Sequence, residues 1–303
     1  MGREIRRLMS PRRALMMVLL GVVGGVVLAA LIARGEAAGA DARTYWAAGR
    51  LMVDGGDPYH PSGPFMPYVY PPWLLPIFLP WALLPWDVAW FVWRGATVLG
   101  LFWSFDWAYR RRPMAATLLM VLLAFPIAGS LDTGNINLPL VLLLFGAQFC
   151  RPVVAGLVWA TATSFKWVPA VFLPVIAPRG RLWGSLLLGL GILLSVVMLP
   201  LTIVQLRVLF AFPQPARLDY FVYFWAAVPW FWRHPNAFWW VRPAAWPVVR
   251  ENVATRLALW HRRWLRSPER TMVAMGRALR TRIRTFLGLP PQGLDLGGRA
   301  RPS

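Results

Sequence analysis

The stretch PVVAGLVWATATSFKWVPAVFLPVIAP, residues 152–178, decides the fold. It is long enough for one membrane span, because a helix needs about 20 residues to cross the hydrocarbon core. It can equally form two short helices that reverse direction near Lys166 and Pro169, since proline interrupts a helix. A single span would place Arg179 and Arg181 on the outer side, against the tendency of basic loops to remain in the cytoplasm. We therefore expect a hairpin with its apex near Lys166.

Composition places the whole chain among multi-pass membrane proteins. Of its 303 residues, 58% are hydrophobic, and the mean hydropathy is +0.51, which is unusual for a soluble domain. The net charge of +20 would indicate nucleic-acid binding in a soluble protein. Here the arginines lie between apolar runs and in the tail, as in cytoplasmic loops that face anionic lipid. We expect a bacterial cytoplasmic membrane protein with no nucleic-acid partner; the sequence predicts no oligomeric state.

Lys166 is the single lysine among 32 basic residues. The preference for arginine is typical of a GC-rich genome, so rarity alone gives Lys166 no function. An ammonium group in hydrocarbon costs about 2.5 to 3.5 kcal/mol on insertion scales, and it must snorkel, pair or face a wet cavity. A snorkelling lysine and a binder of a lipid-linked phosphate both remain open. The single cysteine and the three dispersed histidines predict neither an intrachain disulfide nor a metal site.

Charge also predicts the topology. Five arginines precede Ala14, so the N-terminal segment 1–13 should be cytoplasmic. A first span at about 14–34 then leads to an outer loop, residues 35–86, with short interfacial helices. We expect an all-α bundle of roughly seven to eight transmembrane or re-entrant helices. We expect further spans near 87–108, 114–130, 138–150 and 182–204, which complete a membrane core over 14–204. Residues 205–249 form an aromatic-rich interfacial or membrane segment, with one imperfect span between 219 and 232. Residues 250–303 form an arginine-rich, amphipathic, lipid-touching cytoplasmic tail.

This topology puts three polar elements on the outer side: the loop after the first span, a turn at 133–137 and the apex near Lys166. Asp41 begins a short predicted helix in DARTYWAAGRLM. A carboxylate near the membrane surface can take a proton from a hydroxyl, but it can also simply cap the helix. Asp57 precedes a proline and is typical of a turn. The sequence pattern alone leaves both roles of Asp41 open.

Other polar side chains admit a structural and a functional role. Asn135 and Asn137 flank Ile136 in the outer turn, where their amides could recognise sugar hydroxyls or satisfy the turn itself. Arg94 lies inside the second span, where it could pair with an acidic side chain or help to hold an anion. The sequence does not separate these possibilities.

Five motifs follow one another over roughly residues 35 to 190. They are the aspartate before Tyr-Trp-Ala, GGDPY at 55–59, YPP at 70–72, Gly-x-x-Asn at 134–137 and Lys-x-x-Pro at 166–169. In this order they resemble one family. The chain is similar to glycosyltransferase family 87, whose members are polytopic enzymes with the GT-C fold. The resemblance implies a membrane hexosyltransferase that moves a sugar, with mannose expected, from a polyprenyl-phosphate donor to a lipid or glycan acceptor at the outer face. It implies inversion at the sugar and no cofactor or metal.

The resemblance also implies residue roles. Asp41 matches the family's catalytic base, and Lys166, supported by Arg43 or Arg94, would bind the donor phosphate. The implied substrate-binding residues are Tyr45, Asp57, Tyr59, Tyr70, Asn135 and Asn137.

The chain departs from the family pattern in two ways. It reads GNIN where the family has Gly-Gln-x-Asn, and its likeness fades after about residue 205, which predicts a truncated or divergent C-terminal part. A non-catalytic relative that binds lipid-linked sugar is therefore an alternative. A transporter or flippase component is another, although the sequence shows no internal repeat and its polar groups lie on one side.

Overall fold

The computed structural model describes residues 11–32, 38–61, 65–211, 218–234, 253–259 and 268–287, and the single positions 251 and 261. These residues form helices and turns, with no strand among them, which confirms the all-α prediction. The predictions for the first ten residues, for the aromatic residues after 234 and for most of the tail lie outside the described residues.

The helices follow one another with short connections. The α-helices are α1 (Pro11–Ile32), α2 (Ala40–Val53), α3 (Leu79–Ala82), α4 (Trp86–Arg111), α5 (Pro113–Leu122), α6 (Ala124–Thr133), α7 (Asn137–Ala147), α8 (Pro152–Phe165), α9 (Pro178–Val197), α10 (Leu199–Ala211), α11 (Tyr223–Ala226), α12 (Val228–Arg233) and α13 (Pro268–Leu287). The 3₁₀ helices are Pro72–Phe78, Val168–Val175 and Leu218–Val222.

Two helices of the described part, α4 and α9, are long and apolar enough to cross a membrane. The pair α5 and α6 makes a third candidate if it is one span, bent by 58°. The bend has a local cause, because Pro126 has no N–H for the Leu122 carbonyl and its ring crowds that carbonyl. Helices α7, α8 and α10 are apolar but shorter than a span. The expected seven to eight spans are therefore not confirmed.

Helix α8 and the returning 3₁₀ helix Val168–Val175 form the predicted hairpin, and α9 follows it. A Cβ atom on Gly156 would overlap the carbonyl of Gly180, and one on Gly180 would overlap the carbonyl of Pro152. The first turns of α8 and α9 are thus packed backbone to backbone, so the chain has returned to the level of Pro152 where α9 begins. The reversal occurs at Lys166, whose backbone is extended. The Trp159 indole N–H donates to the Pro169 carbonyl at 2.8 Å and fixes the returning 3₁₀ helix against α8.

Residues 218–234 fold back into the bundle. The imperfect span expected there is replaced by three short helical pieces, 218–222, α11 and α12. Trp225 is 1% exposed, and its indole N–H donates to the Ser104 hydroxyl of α4 at 2.8 Å. The Gln148 amide donates to the Ala226 carbonyl at 2.7 Å. The Trp225 side chain therefore fills the core between α4 and α7.

The bundle has two chemically different ends. At one end, Arg233 of α12 donates to the Gln148 carbonyl at 2.9 Å, and the Arg112 guanidinium lies 5.8 Å from the Trp232 ring. The contact at Gly180 adds the starts of α8 and α9 to this end. The opposite end, here called the polar end, holds the starts of α2 and α4 and the break at Lys166. The first end, here called the arginine end, contains Arg110, Arg111, Arg112, Arg151, Arg179, Arg181 and Arg233.

Candidate functional site

Asp41 lies in the first turn of α2, as the sequence predicted. Gly39 precedes the helix with φ of 78°, a conformation that favours glycine, and its N–H donates to the Asp132 carbonyl at 2.8 Å. A carboxylate in this position interacts favourably with the helix dipole. The Asp41 side chain is nonetheless only 8% exposed. A buried carboxylate needs hydrogen-bond donors, and a distant turn, at residues 134–137, supplies one.

The turn at 134–137 brings an amide to Asp41. Asn135 Nδ2 donates to Asp41 Oδ2 at 2.8 Å, and the Asn137 backbone N–H donates to Asn135 Oδ1 at 2.9 Å. The second bond fixes which way the Asn135 amide points. Gly134, with φ of 67°, lets the turn approach α2 so closely that a Cβ would lie 2.6 Å from that of Ala42. A hydrogen bond to a charged group contributes about 1.5 to 3 kcal/mol.

Asp219 is a further acidic residue of this site that the sequence pattern did not predict. Asn137 Nδ2 donates to Asp219 Oδ2 at 2.8 Å, and the Tyr223 hydroxyl donates to Asn137 Oδ1 at 3.2 Å. Asn137 is fully buried, and Asn135 is 3% exposed. Asp219 Oδ1 is buried and has no hydrogen-bond partner in the described part of the chain. One signal could have indicated Asp219: it is a lone carboxylate within an otherwise aromatic run.

Lys166 faces a cavity of about 690 Å³ at the polar end. Its Nζ lies 5.3 Å from the Tyr70 ring centre and 6.0 Å from that of Tyr220. The backbone N–H of Lys166 caps α8 by donating to the Ala162 carbonyl at 3.0 Å, so the ammonium group follows the negative end of the helix dipole. The other polar side chains that line the cavity are Ser164, Ser195, Thr202 and Gln205.

Tyr45 and Tyr70 connect the cavity to the Asp41 helix. Tyr45 follows Asp41 by one helical turn, and its hydroxyl lies 3.3 Å from that of Tyr70. Burial, reinforced by Tyr70 and Asp41, raises the pKa of Tyr45 well above its ordinary range, so this phenol stays neutral. The Tyr59 hydroxyl donates to the Tyr70 carbonyl at 3.1 Å and supports Tyr70 from behind. Tyr59 therefore holds the loop rather than lining the cavity.

The contacts close into a ring around the polar end. They run from Asp41 through the two asparagines to Asp219 and its neighbour Tyr220, then through Lys166 and two tyrosines back to α2. We call these residues the polar cluster: Asp41, Tyr45, Tyr70, Asn135, Asn137, Lys166, Asp219 and Tyr220.

The two arginines implied as phosphate ligands take other positions. The Arg43 guanidinium lies 4.9 Å from the Trp86 ring centre, and the Arg94 guanidinium lies 4.5 Å from that of Trp90. The Arg94 guanidinium also interacts electrostatically with Asp132. Neither arginine is among the described residues that line the cavity of Lys166. The contacts of both side chains are those of structural cation–π pairs.

Asp57 also lies apart from the polar cluster. Its Oδ1 accepts the Tyr59 N–H at 2.8 Å, and its Oδ2 lies 2.8 Å from the His60 ring nitrogen. Slight burial opposes ionisation, but these two contacts outweigh it and hold the pKa of Asp57 below its usual value. These contacts make Asp57 a turn residue, the alternative that its position before proline indicated.

An apolar groove of about 370 Å³ adjoins the cavity, and Tyr220 lines both. The groove begins at Val168, just after Lys166, and extends to Pro174 and Val175. The Pro174 carbonyl accepts a hydrogen bond from Arg181 at 2.8 Å, so the groove runs from the polar end towards the arginine end. Its other walls are Val171, Phe172, Tyr223, Phe224, Ala227, Trp230 and Phe231.

Comparison with known proteins gives the family. The model of glycosyltransferase family 87 matches residues 68–288, more than two thirds of the chain. The chain belongs to glycosyltransferase family 87. Membership implies a membrane glycosyltransferase. No curated protein and no solved structure matches the chain significantly.

The match refines the resemblance that the motifs indicated. It ends at residue 288, so the expected loss of family character after about residue 205 was wrong. It begins at Tyr68 and includes both asparagines, Lys166 and Asp219, whereas Asp41 precedes it. The matched range therefore covers most of the polar cluster, and Asp41, outside that range, contacts it through the hydrogen bond from Asn135.

Proposed function

We propose that this family 87 glycosyltransferase moves a hexose, with mannose expected, from a polyprenyl-phosphate donor to a hydroxyl of a lipid or glycan acceptor at the outer membrane face. The observation that carries the proposal is the position of Lys166. This cation lies in a cavity that contains several polar side chains and adjoins an apolar groove, and a ring of contacts joins it to the buried carboxylate of Asp41. A lipid-linked phosphate has this combination of one anionic head and an apolar chain.

The donor would lie across the cavity and the groove. Its phosphate would pair with the Lys166 ammonium, which is a good point-charge partner for phosphate. The first isoprenoid units would follow the groove beyond Tyr220, where the walls are aliphatic and aromatic. The sugar would then extend towards the hydroxyl groups of Tyr70 and Tyr45, on the side of α2.

Asp41 would act as the base. It takes the proton from the acceptor hydroxyl as that oxygen bonds to the anomeric carbon, while the bond from this carbon to the phosphate oxygen breaks. The bonding electrons remain on the phosphate oxygen, and Lys166 stabilises the released dianion. Attack from the face opposite the phosphate inverts the sugar configuration. Asn135 and Asn137 would hold the Asp41 carboxylate in position through their fixed amides.

A transfer assay tests the proposal. Purified protein is reconstituted in vesicles with a radiolabelled polyprenyl-phosphate mannose and a lipid acceptor, and product formation is measured. We expect Asp41→Asn to lower the rate by about 10² to 10⁴, the usual contribution of a general base. The matched control is Asp106→Asn, because Asp106 is exposed and pairs with Arg110 at the arginine end.

Each other outcome has a defined meaning. Equal transfer by wild type and Asp41→Asn would remove Asp41 as the base. Binding of several lipid-linked sugars without transfer of any would identify a non-catalytic relative. Accumulation of substrate inside the vesicles without a new glycosidic bond would identify a transporter.

A further inference from the structure

Helix α13, Pro268–Leu287, carries an apolar stripe that the described part of the bundle leaves largely exposed. Its apolar side chains recur at intervals of three and four residues, which places them on one face of a helix. Met272 and Leu279 are each 60% exposed, and Ile283 is 48% exposed. A continuous apolar face of this kind is suited to an apolar partner. The stripe consists of Met272, Met275, Leu279, Ile283 and Phe286.

The other faces of α13 are basic. The helix contains five arginines and one glutamate. At 100° per residue, Arg277 and Arg284 lie away from the stripe, while Arg280 and Arg282 flank it on its two sides. An apolar stripe bordered by arginines is the pattern of a helix that lies in the membrane interface.

One contact fixes the position of α13 along the long axis of the bundle. Arg181 Nη1 donates to the Phe286 carbonyl at 2.9 Å, and its guanidinium lies 4.2 Å from the Phe286 ring centre. Arg181 belongs to the first turn of α9, one of the two helices long enough to span a membrane. The C-terminal part of α13 is therefore held where a membrane-spanning helix begins, at the arginine end.

We propose that α13 lies in the headgroup layer at the arginine end and binds anionic phospholipid there. Its stripe inserts beside the acyl chains, and its arginines contact the phosphate groups. The sequence indicated a lipid-touching tail near anionic lipid; the structure adds the face that inserts and the residue that anchors the helix. The proposal does not depend on the transfer reaction, because α13 and the polar cluster lie at opposite ends.

Site-directed fluorescence in vesicles tests this proposal. Cys150 is replaced by serine, and a cysteine at Leu279→Cys, on the stripe, carries an environment-sensitive nitrobenzoxadiazole dye. Thr281→Cys is the matched control, because Thr281 lies on the opposite face and is exposed. The full-length protein is reconstituted in phosphatidylcholine alone or mixed with phosphatidylglycerol, and acyl-chain quenchers report insertion.

We expect the Leu279 dye to be blue-shifted and quenched in the anionic vesicles, while the Thr281 dye remains in water. Replacing Arg277, Arg280, Arg282 and Arg284 by glutamine one at a time should weaken insertion by a factor of about five for each arginine. A Leu279 dye that stays in water would overturn the proposal. Equal burial of the Leu279 dye in neutral and anionic vesicles would also overturn it. Burial of this dye that rises with protein concentration, as in a contact between two copies, would overturn it as well.

Discussion

The two ends of the bundle hold their charges in opposite ways. At the polar end, the Asp41 and Asp219 carboxylates accept hydrogen bonds from side-chain amides that are themselves buried and fixed. At the arginine end, Arg111 and Arg233 donate to main-chain carbonyls and lie over aromatic rings, while remaining exposed. A main-chain carbonyl is present whatever the neighbouring residue, whereas an amide partner is specific. Substitutions should therefore be costly at the polar end and mild at the arginine end.

The largest contrast should come from removing one cation at each end. Lys166→Gln deprives the leaving phosphate of its cation, and we expect transfer to fall by about 10² to 10³, as when one preorganised donor is lost. Arg151→Gln at the arginine end should leave the rate within about twofold, because an exposed charge contributes little. Steady-state kinetics with the labelled donor measures both. Equal rates for the two variants would abolish the distinction between the ends.

The first turns of α8 and α9 pack backbone to backbone within the bundle, so disturbing this contact should affect the whole fold. Gly156→Ala places a methyl group on the Gly180 carbonyl, and we expect a loss of about 1 to 3 kcal/mol or more from overpacking. Gly189→Ala is the control, since nothing lies within 4 Å of its added Cβ. Thermal unfolding in detergent compares the two variants. An unchanged melting temperature for Gly156→Ala would contradict the close packing of α8 on α9.

Substitutions of Asp219 test whether Asn137 needs its own carboxylate partner, as Asn135 has Asp41. Asp219→Ala leaves the buried Asn137 amide without its acceptor, which should destabilise the protein by about 1 to 3 kcal/mol. Asp219→Asn retains a carbonyl oxygen at this position and should cost less. Unfolding midpoints of the two variants, with the KM for the donor, separate stability from binding. If alanine and asparagine behave alike, the hydrogen bond to Asn137 is not what Asp219 provides.

The smallest effect is expected at Arg94. Arg94→Gln removes the contact with Trp90, a cation–π interaction of about 0.5 to 2 kcal/mol. The KM for the donor should stay near that of wild type, because Arg94 does not line the cavity of Lys166 in the described part of the chain. Donor titrations with Arg94→Gln and Lys166→Gln compare the two cations. A similar rise in KM for both would return Arg94 to the phosphate site.

The sequence predicted the features that depend on neighbouring residues. Charge at Arg179 and Arg181 was enough to choose the hairpin, and the pattern around Asp41 located the start of α2. The bend in α5–α6 was not predicted, although Pro126 is its cause, because the apolar run continues through it.

Long-range contacts could not be read from local pattern. The bond from Asn137 to Asp219 joins residues 82 positions apart, and the aromatic run around Asp219 looked interfacial because density of tryptophan does not distinguish interface from core. Arg43 and Arg94 were expected at the phosphate because they are cations on the correct side. Their positions over Trp86 and Trp90 depend on the packing of α2 against α4, which charge patterns do not reveal.

Photo-crosslinking of the donor tests most directly which end of the molecule carries the site. A polyprenyl-phosphate sugar with a diazirine on the first isoprene unit is irradiated with wild-type protein in vesicles, and the labelled peptides are mapped by mass spectrometry. The account predicts labelling near Lys166, Tyr70 or Tyr220 that unlabelled donor suppresses. Competed labelling confined to the arginine end, near Arg151 or Arg181, would contradict it.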